Sequence, residues 1–159
     1  MIESVVAYDG EVSEDVGSFN HSYLQSRLVV LLSKQEEYTV CTELSLDISK
    51  LNLDSGANEI RPDLCLYPRR KMSKPQDIIR MAEMPLLVVE ILSPKQGTYD
   101  ILEKFRIYFA AGVKSCWLVE PTLEAVVVYA SMRQYEHFFE GEMFDKVMNI
   151  RLSIREIFD

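Results

Sequence analysis

A single glutamate interrupts the most apolar segment of this 159-residue chain. The segment PLLVVEIL, residues 85–92, is a near-continuous run of Leu, Val and Ile, which predicts a strand covered on both faces. An ionised carboxylate in such a strand is costly unless it is paired, hydrogen-bonded or bound to a metal. Glu90 therefore needs a partner. The alternatives are a cation from a helix packed over the strand and a metal ion.

A second carboxylate, Asp63, lies in the preceding predicted strand, in the sequence RPDLCLY. Taken alone, Asp63 is typical of a strand-start aspartate that binds nearby backbone N–H groups. If the two strands are neighbours, Asp63 and Glu90 converge and create the oxygen-rich environment that Mg²⁺ prefers. We therefore predict a metal site with these two ligands. Glu43, from the strand predicted next to Asp63, is a candidate third oxygen ligand or a group that orients a water.

The order of predicted elements is α-β-β-β-α-β, followed by further β-structure in one α/β domain over residues 1–159. The core covers about residues 17–120 and the β additions cover 124–159. Hydrophobic periodicity and turn signals define the core elements. These are a helix at 18–34, strands at 37–48, 60–67 and 85–92, a helix at 100–111, and strands at 114–121 and 124–130. We also predict a C-terminal hairpin across Glu140-Gly141 and a short closing helix.

The second predicted helix carries Asp100, Lys104 and Tyr108 on one face, because each lies four residues after the last. One interpretation is an ordinary salt bridge with a neighbouring tyrosine. The other follows from position, because the helix begins a few residues after Glu90 and its first turns can lie over the end of that strand. An ammonium group there would stabilise developing phosphate charge or help to deprotonate a metal-bound water.

Two further residues near this region have less specific signals. His21, near the start of the first helix, is interpreted as a capping or surface residue, with a position facing the acidic cluster as the alternative. Lys95 lies in the loop after Glu90 and is a second candidate for a catalytic cation, ranked below Lys104.

Composition limits the partners of the chain. Twenty-five acidic residues against 17 basic ones give a net charge of −8, which opposes binding of a phosphate backbone. The basic run at 69–71 is interpreted as a solvated loop, with a basic lip for nucleic acid as the alternative. The three cysteines have no paired spacing, which argues against a zinc site and favours reduced core residues. We expect a soluble, cytoplasmic protein, because the chain shows no signal peptide and no membrane-spanning run.

The C-terminal region is rich in aromatic residues, with Tyr135, His137, Phe138, Phe139 and Phe144 close together. Such a hairpin is a candidate homodimer surface if exposed. Covering the domain's own sheet is the simpler interpretation.

In combination, the runs RPDLCLYP, PLLVVEILSP and AGVKSCWLVEP, with the D-x-x-x-K-x-x-x-Y helix, resemble the PD-(D/E)XK nuclease superfamily. Within it, the chain resembles the bacterial restriction-endonuclease-like (Uma family) proteins over about residues 17–158. The resemblance implies a restriction-endonuclease-like αβββαβ core, with a mixed central sheet flanked by helices. It also implies a Mg²⁺-dependent endonuclease that hydrolyses DNA, with Mn²⁺ as a substitute ion.

The resemblance assigns Asp63 to the motif aspartate and Glu90 to the motif acid. The motif lysine should stand two residues after Glu90, where this chain has Leu92. The related branch is similar in this respect, and its usual interpretation places Lys104 in the role of the missing lysine. Two other functions stay open: an inactive nuclease fold that serves binding or assembly, and a hydrolase of another phosphate ester.

Overall fold

The computed structural model describes residues 17–159 as a central six-stranded sheet with helices on both faces. The elements in chain order are α1 (Phe19–Leu32), β1 (Tyr38–Thr42), β2 (Leu46–Asp47), β3 (Glu59–Ile60), β4 (Leu64–Pro68), β5 (Leu87–Ile91), α2 (Thr98–Ala111), β6 (Ser115–Glu120), β7 (Ala125–Ser131), β8 (Gln134–Phe138), β9 (Glu142–Asp145), β10 (Ile150–Ser153) and α3 (Ile154–Phe158). A single 3₁₀ turn, Ser49–Leu51, follows β2.

The strand order of the main sheet is β1-β4-β5-β6-β7-β8. Only β5 and β6 are parallel, and α2 makes the crossover between them. The other neighbouring strands of this sheet are antiparallel. The predicted mixed α/β fold is therefore confirmed, with a mostly antiparallel sheet and with two small additional sheets, β2–β3 and β9–β10.

The two faces of the sheet bury separate cores. The face covered by α1, α3 and the β9–β10 hairpin contains Trp117 and Val119, which are fully buried. The face covered by α2 contains Phe105 and Tyr108 packed over the central strands. Alternation along β5 sends Leu87, Val89 and Ile91 to the α1 face, so Glu90 points towards α2.

Local features mark the start of α1 and the end of α2. The side chain of Ser18 accepts a hydrogen bond from the backbone N–H of His21 and caps α1. Gly112, with φ of 109°, ends α2 in the left-handed conformation that a glycine adopts without steric cost. No helix in the described range, residues 17–159, is long and apolar enough to cross a membrane.

The first two predicted strands are too long. The strand predicted at 37–48 breaks at Glu43, which adopts φ of 49°, a conformation that a strand cannot contain. Beyond the break, Leu46 pairs with Ile60 in the separate β2–β3 sheet, and the strand predicted at 60–67 divides into β3 and β4. The predicted antiparallel pairing of the two segments is nevertheless correct.

The hairpin predicted across Glu140-Gly141 is wrong. Strand β8 pairs with β7, and β9 pairs with β10. The tight turn after β7 explains the first pairing, because the Ser131 hydroxyl accepts hydrogen bonds from the backbone of Arg133 and Gln134 and returns the chain at once. The C-terminal β-hairpin is thus β9–β10. Tyr135 and Phe139 lie outside the core, 54% and 57% exposed, and the homodimer surface stays a prediction.

Candidate active site

Asp63 comes immediately before β4, and Glu90 lies on the neighbouring antiparallel strand β5. The β4–β5 ladder ends at the pair Leu64 and Val89, and the next residues along the chain are Asp63, before β4, and Glu90, within β5. The Glu90 side chain projects towards α2, where it contacts Lys104 and Tyr108. The backbone N–H of Ile91 donates to Oδ2 of Asp63 at 2.7 Å, which ties the end of one strand to the other. The structure therefore brings the two predicted residues together.

Helix α1 also contacts Asp63. Nε2 of His21 lies 3.0 Å from Oδ2 of Asp63. One turn later, Gln25 donates from its side-chain amide to the backbone oxygen of Asp63 at 3.0 Å, and the backbone N–H of Glu43 donates to the same oxygen at 3.2 Å. The hydrogen bond to Asp63, the largest cause, raises the pKa of His21 against the opposing effect of burial. His21 thus faces the acidic cluster, the alternative that its position in the sequence did not favour.

Helix α2 supplies both partners of Glu90. Nζ of Lys104 and the hydroxyl of Tyr108 each lie 2.7 Å from Oε2 of Glu90, which is 1% exposed. Burial raises the pKa of Glu90 to about 7, although the charge of Lys104 opposes the shift. The apolar strand thus contains an acid whose only described partners come from one helix face.

Because the pKa of Glu90 is raised, we expect the stability of the protein to depend on pH. Between pH 4.5, where the carboxyl ionises in the unfolded chain, and pH 7, where it ionises in the folded chain, the folded state binds more protons. The unfolding free energy of the metal-free protein should therefore fall as pH rises through this window, with a contribution of about 3 kcal/mol from Glu90. Denaturant unfolding in the presence of a chelator at pH 4.5, 6 and 8 measures this change in the free energy of unfolding.

Glu90→Gln is the matched control, because the amide does not titrate. The pH-dependent loss should be smaller in Glu90→Gln than in the wild type by about 3 kcal/mol, with other ionisable groups common to both proteins. Equal pH dependence in the two proteins would contradict the prediction.

Three other predicted residues or segments do not line the cleft. The carboxylate of Asp100 accepts a hydrogen bond from the backbone N–H of Gly97 at 3.1 Å and caps α2. Lys95 is exposed and does not line the cleft. The run at 69–71 is also exposed and outside the cleft, where Arg70 forms a two-pronged ion pair with Glu83.

The side chains meet in one polar cleft of about 290 Å³. Its lining includes His21, Gln25, Glu43, Arg61, Asp63, Glu90 and Lys104. Sequence reasoning missed Gln25, although its position four residues after His21 places it on the same helix face. Leu92, at the position of the motif lysine, packs instead against the core under α2.

The donor set fits a hard cation that retains water ligands. All described hydrogen bonds and ion pairs to the two carboxylates fall on Oδ2 of Asp63 and Oε2 of Glu90, so Oδ1 and Oε1 stay available. Within residues 17–159, no group of three His, Cys, Asp or Glu side chains is arranged to hold a metal. Two carboxylates with water and phosphate oxygens in the remaining positions is the usual environment of Mg²⁺.

Comparison with known proteins supports the fold and the family. No curated protein matches the chain. A solved structure, described as a "putative nuclease belonging to DUF820 from Anabaena variabilis ATCC 29413", aligns with a TM-score of 0.72 and 22% sequence identity. The alignment covers 92% of this chain and 84% of that one. A family model, Uma2, described as "Putative restriction endonuclease", matches residues 3–151, and the chain therefore belongs to the Uma2 family of nuclease-like proteins.

Proposed function

We propose that this protein is a Mg²⁺-dependent endonuclease that hydrolyses phosphodiester bonds in DNA. The observation that carries the proposal is the convergence of Asp63 and Glu90, each with an available oxygen, beside the ammonium group of Lys104 in one cleft. Membership of the Uma2 family supports the same reaction class.

Asp63 and Glu90 would hold the ion through Oδ1 and Oε1. When bound there, Mg²⁺ supplies Lewis-acid polarisation of a phosphate oxygen and a more acidic water. The protein fixes both ligands in advance, because the Ile91 N–H and His21 hold Asp63 while Tyr108 holds Glu90. Oriented ligands of this kind lose little freedom when the ion and the substrate arrive.

Lys104 would act on the phosphate. Its side chain is 27% exposed and its ammonium group lies against Glu90, so Lys104 is fixed at the wall of the cleft. A positive charge in that place stabilises the additional negative charge that forms on the phosphoryl oxygens during attack. Lys104 also donates to the backbone oxygen of Arg61 at 3.4 Å, which restrains it near the entrance to β4.

The first test is cleavage of supercoiled plasmid by the full-length protein with Mg²⁺, with Mn²⁺ and with chelator. We expect nicked and linear products with either ion and none with chelator. If neither ion supports plasmid cleavage but the protein hydrolyses a small phosphodiester, the substrate is another phosphate ester and not DNA. The net charge of −8 is less of an obstacle to binding such a substrate.

Lys104→Met gives a sharper prediction. The cleavage rate of the variant should be lower than that of the wild type by roughly a hundredfold or more, because one charged group aimed at the transition state contributes about that factor. Mg²⁺ affinity should be retained or increase, since the cation that competes for Glu90 is gone. Lys114→Met is the matched control, because Lys114 is exposed and lies outside the cleft, and it should cleave like the wild type. Unchanged cleavage in Lys104→Met would remove Lys104 from the mechanism.

A second function is favoured by one observation. Each carboxylate already has a basic side chain beside it, His21 at Asp63 and Lys104 at Glu90, and such pairs can stabilise a fold without metal. A nuclease fold retained for binding or assembly would keep these pairs and bind no Mg²⁺. Calorimetric titration of the wild type separates the two functions, because the endonuclease requires binding that disappears in Asp63→Asn.

A further inference from the structure

Two of the three cysteines face each other across the edge of the main sheet. Cys41 on β1 and Cys65 on β4 are direct partners in the antiparallel ladder. Cys65 is fully buried and Cys41 is half-buried, so one thiol of the pair is reachable from solvent. Cys116 is also buried but lies on β6, away from this edge. All three are free thiols.

We propose that Cys41 and Cys65 form an oxidisable dithiol that hydroperoxides convert reversibly into a disulfide between β1 and β4, next to Asp63. The Cα separation of directly opposed residues in an antiparallel pair, about 4.5–5.5 Å, lies within the range that disulfides span. The pairing is therefore compatible with a bond without rearrangement of the sheet order.

The chemistry requires no partner beyond the oxidant. The Cys41 thiolate attacks one oxygen of a hydroperoxide, which breaks the O–O bond, forms a sulfenic acid and releases an alcohol or water. The Cys65 thiol then attacks the Cys41 sulfur, which forms the S–S bond and releases the sulfenic oxygen as water. In total, two thiols are oxidised and one hydroperoxide is reduced. The Cys65 thiol beside it lowers the pKa of Cys41 to about 7, which assists the first step.

The disulfide would change the position of Asp63. The backbone N–H of Glu43 donates to the backbone oxygen of Asp63, so these two residues form a hydrogen-bonded pair of the antiparallel type. Hydrogen-bonded and non-hydrogen-bonded pairs alternate along such strands, so Cys41 and Cys65, two positions away, are also a hydrogen-bonded pair. Cβ atoms in such pairs lie about 5 Å apart, whereas a disulfide needs about 3.8 Å, so β1 and β4 must approach by roughly 1 Å. Asp63 comes two residues before Cys65, and its backbone oxygen accepts a hydrogen bond from the Glu43 N–H just after β1, so this movement reaches the cleft.

The cross-link is tested by mass spectrometry, without reference to activity. The reduced full-length protein is treated with hydrogen peroxide and digested without reductant. We expect one intramolecular link that joins the peptides containing Cys41 and Cys65, that reverses with dithiothreitol, and that persists in Cys116→Ser. Cys41→Ser and Cys65→Ala should each abolish it. Oxidation of Cys41 without a link, or links only between molecules, would overturn the proposal.

The effect on the site rests on the proposed function and has a separate readout. Oxidised wild type should cleave plasmid roughly tenfold to a hundredfold more slowly than the reduced protein, since a displacement near 1 Å at a reacting site costs rates of this order. Peroxide should leave the cleavage rate of Cys41→Ser unchanged. A complete link with an unchanged rate would overturn the coupling to the site. If no form cleaves DNA, the mass data still decide whether the dithiol exists.

Discussion

Glu90→Gln is expected to abolish Mg²⁺-dependent DNA cleavage while the protein stays folded. The amide is similar in size to the carboxylate and can still accept hydrogen bonds from Lys104 and Tyr108. It lacks the charge that a hard cation requires. Lewis-acid stabilisation contributes several kcal/mol, and each 1.4 kcal/mol changes a rate tenfold, so a loss of roughly a thousandfold is expected.

Plasmid cleavage and Mg²⁺ calorimetry on the same preparation measure this prediction. Glu142→Gln is the matched control, because Glu142 is exposed, pairs with Arg151 on the β9–β10 hairpin and has no contact with the cleft. The control should bind Mg²⁺ and cleave like the wild type. Cleavage by Glu90→Gln within tenfold of the wild-type rate would show that the reaction does not depend on this carboxylate.

The largest loss of stability is expected from Asp145→Ala. Asp145 is fully buried, away from the cleft, and its Oδ2 accepts hydrogen bonds from Ser115 at 2.5 Å and from the Trp117 indole at 2.7 Å. Its Oδ1 accepts from the backbone of Met148 at 3.0 Å. Alanine leaves the Trp117 indole N–H and the Met148 N–H buried without an acceptor and leaves the Ser115 hydroxyl only a long bond of 3.5 Å to the Tyr129 backbone oxygen, and such a loss costs about 3–5 kcal/mol.

Thermal and denaturant unfolding measure this loss. A decrease of that size in a domain of this length lowers Tm by roughly 10 °C or more. Asp145→Asn keeps an acceptor and should lose less than Asp145→Ala. Asp77→Ala, at an exposed loop position, should stay within about 1 kcal/mol of the wild type. A similar stability of Asp145→Ala and Asp77→Ala would show that the buried network contributes little.

Local signals were enough to locate the elements that build the cleft. The helix ends at Ser18 and Gly112 were predictable because a capping hydroxyl and a left-handed glycine act within one turn of chain. Glu90 was identified because burial of a charge in a strand has a cost that demands a partner. The same reasoning predicted that this partner would come either from a packed helix or from a metal.

Asp145 shows where reasoning from the sequence stopped. Its partners Ser115 and Trp117 lie about thirty residues earlier in the chain, and EMFDKV has no local feature that marks a buried carboxylate. The prediction of a hairpin across Glu140-Gly141 failed for a related reason, because a glycine turn indicates a reversal of the chain but not which strands pair on either side.

The sequence by itself determined the element order, the two buried faces of the central strands and the presence of an acid in β5 that needs a partner. These features depend on periodicity, capping and the cost of burying charge, which act over a few residues. Only the tertiary structure decided that His21 faces Asp63, that Asp100 caps its own helix while Lys104 reaches Glu90, and that Cys41 meets Cys65. Those contacts depend on strand register and helix rotation, which the packing of the whole domain sets.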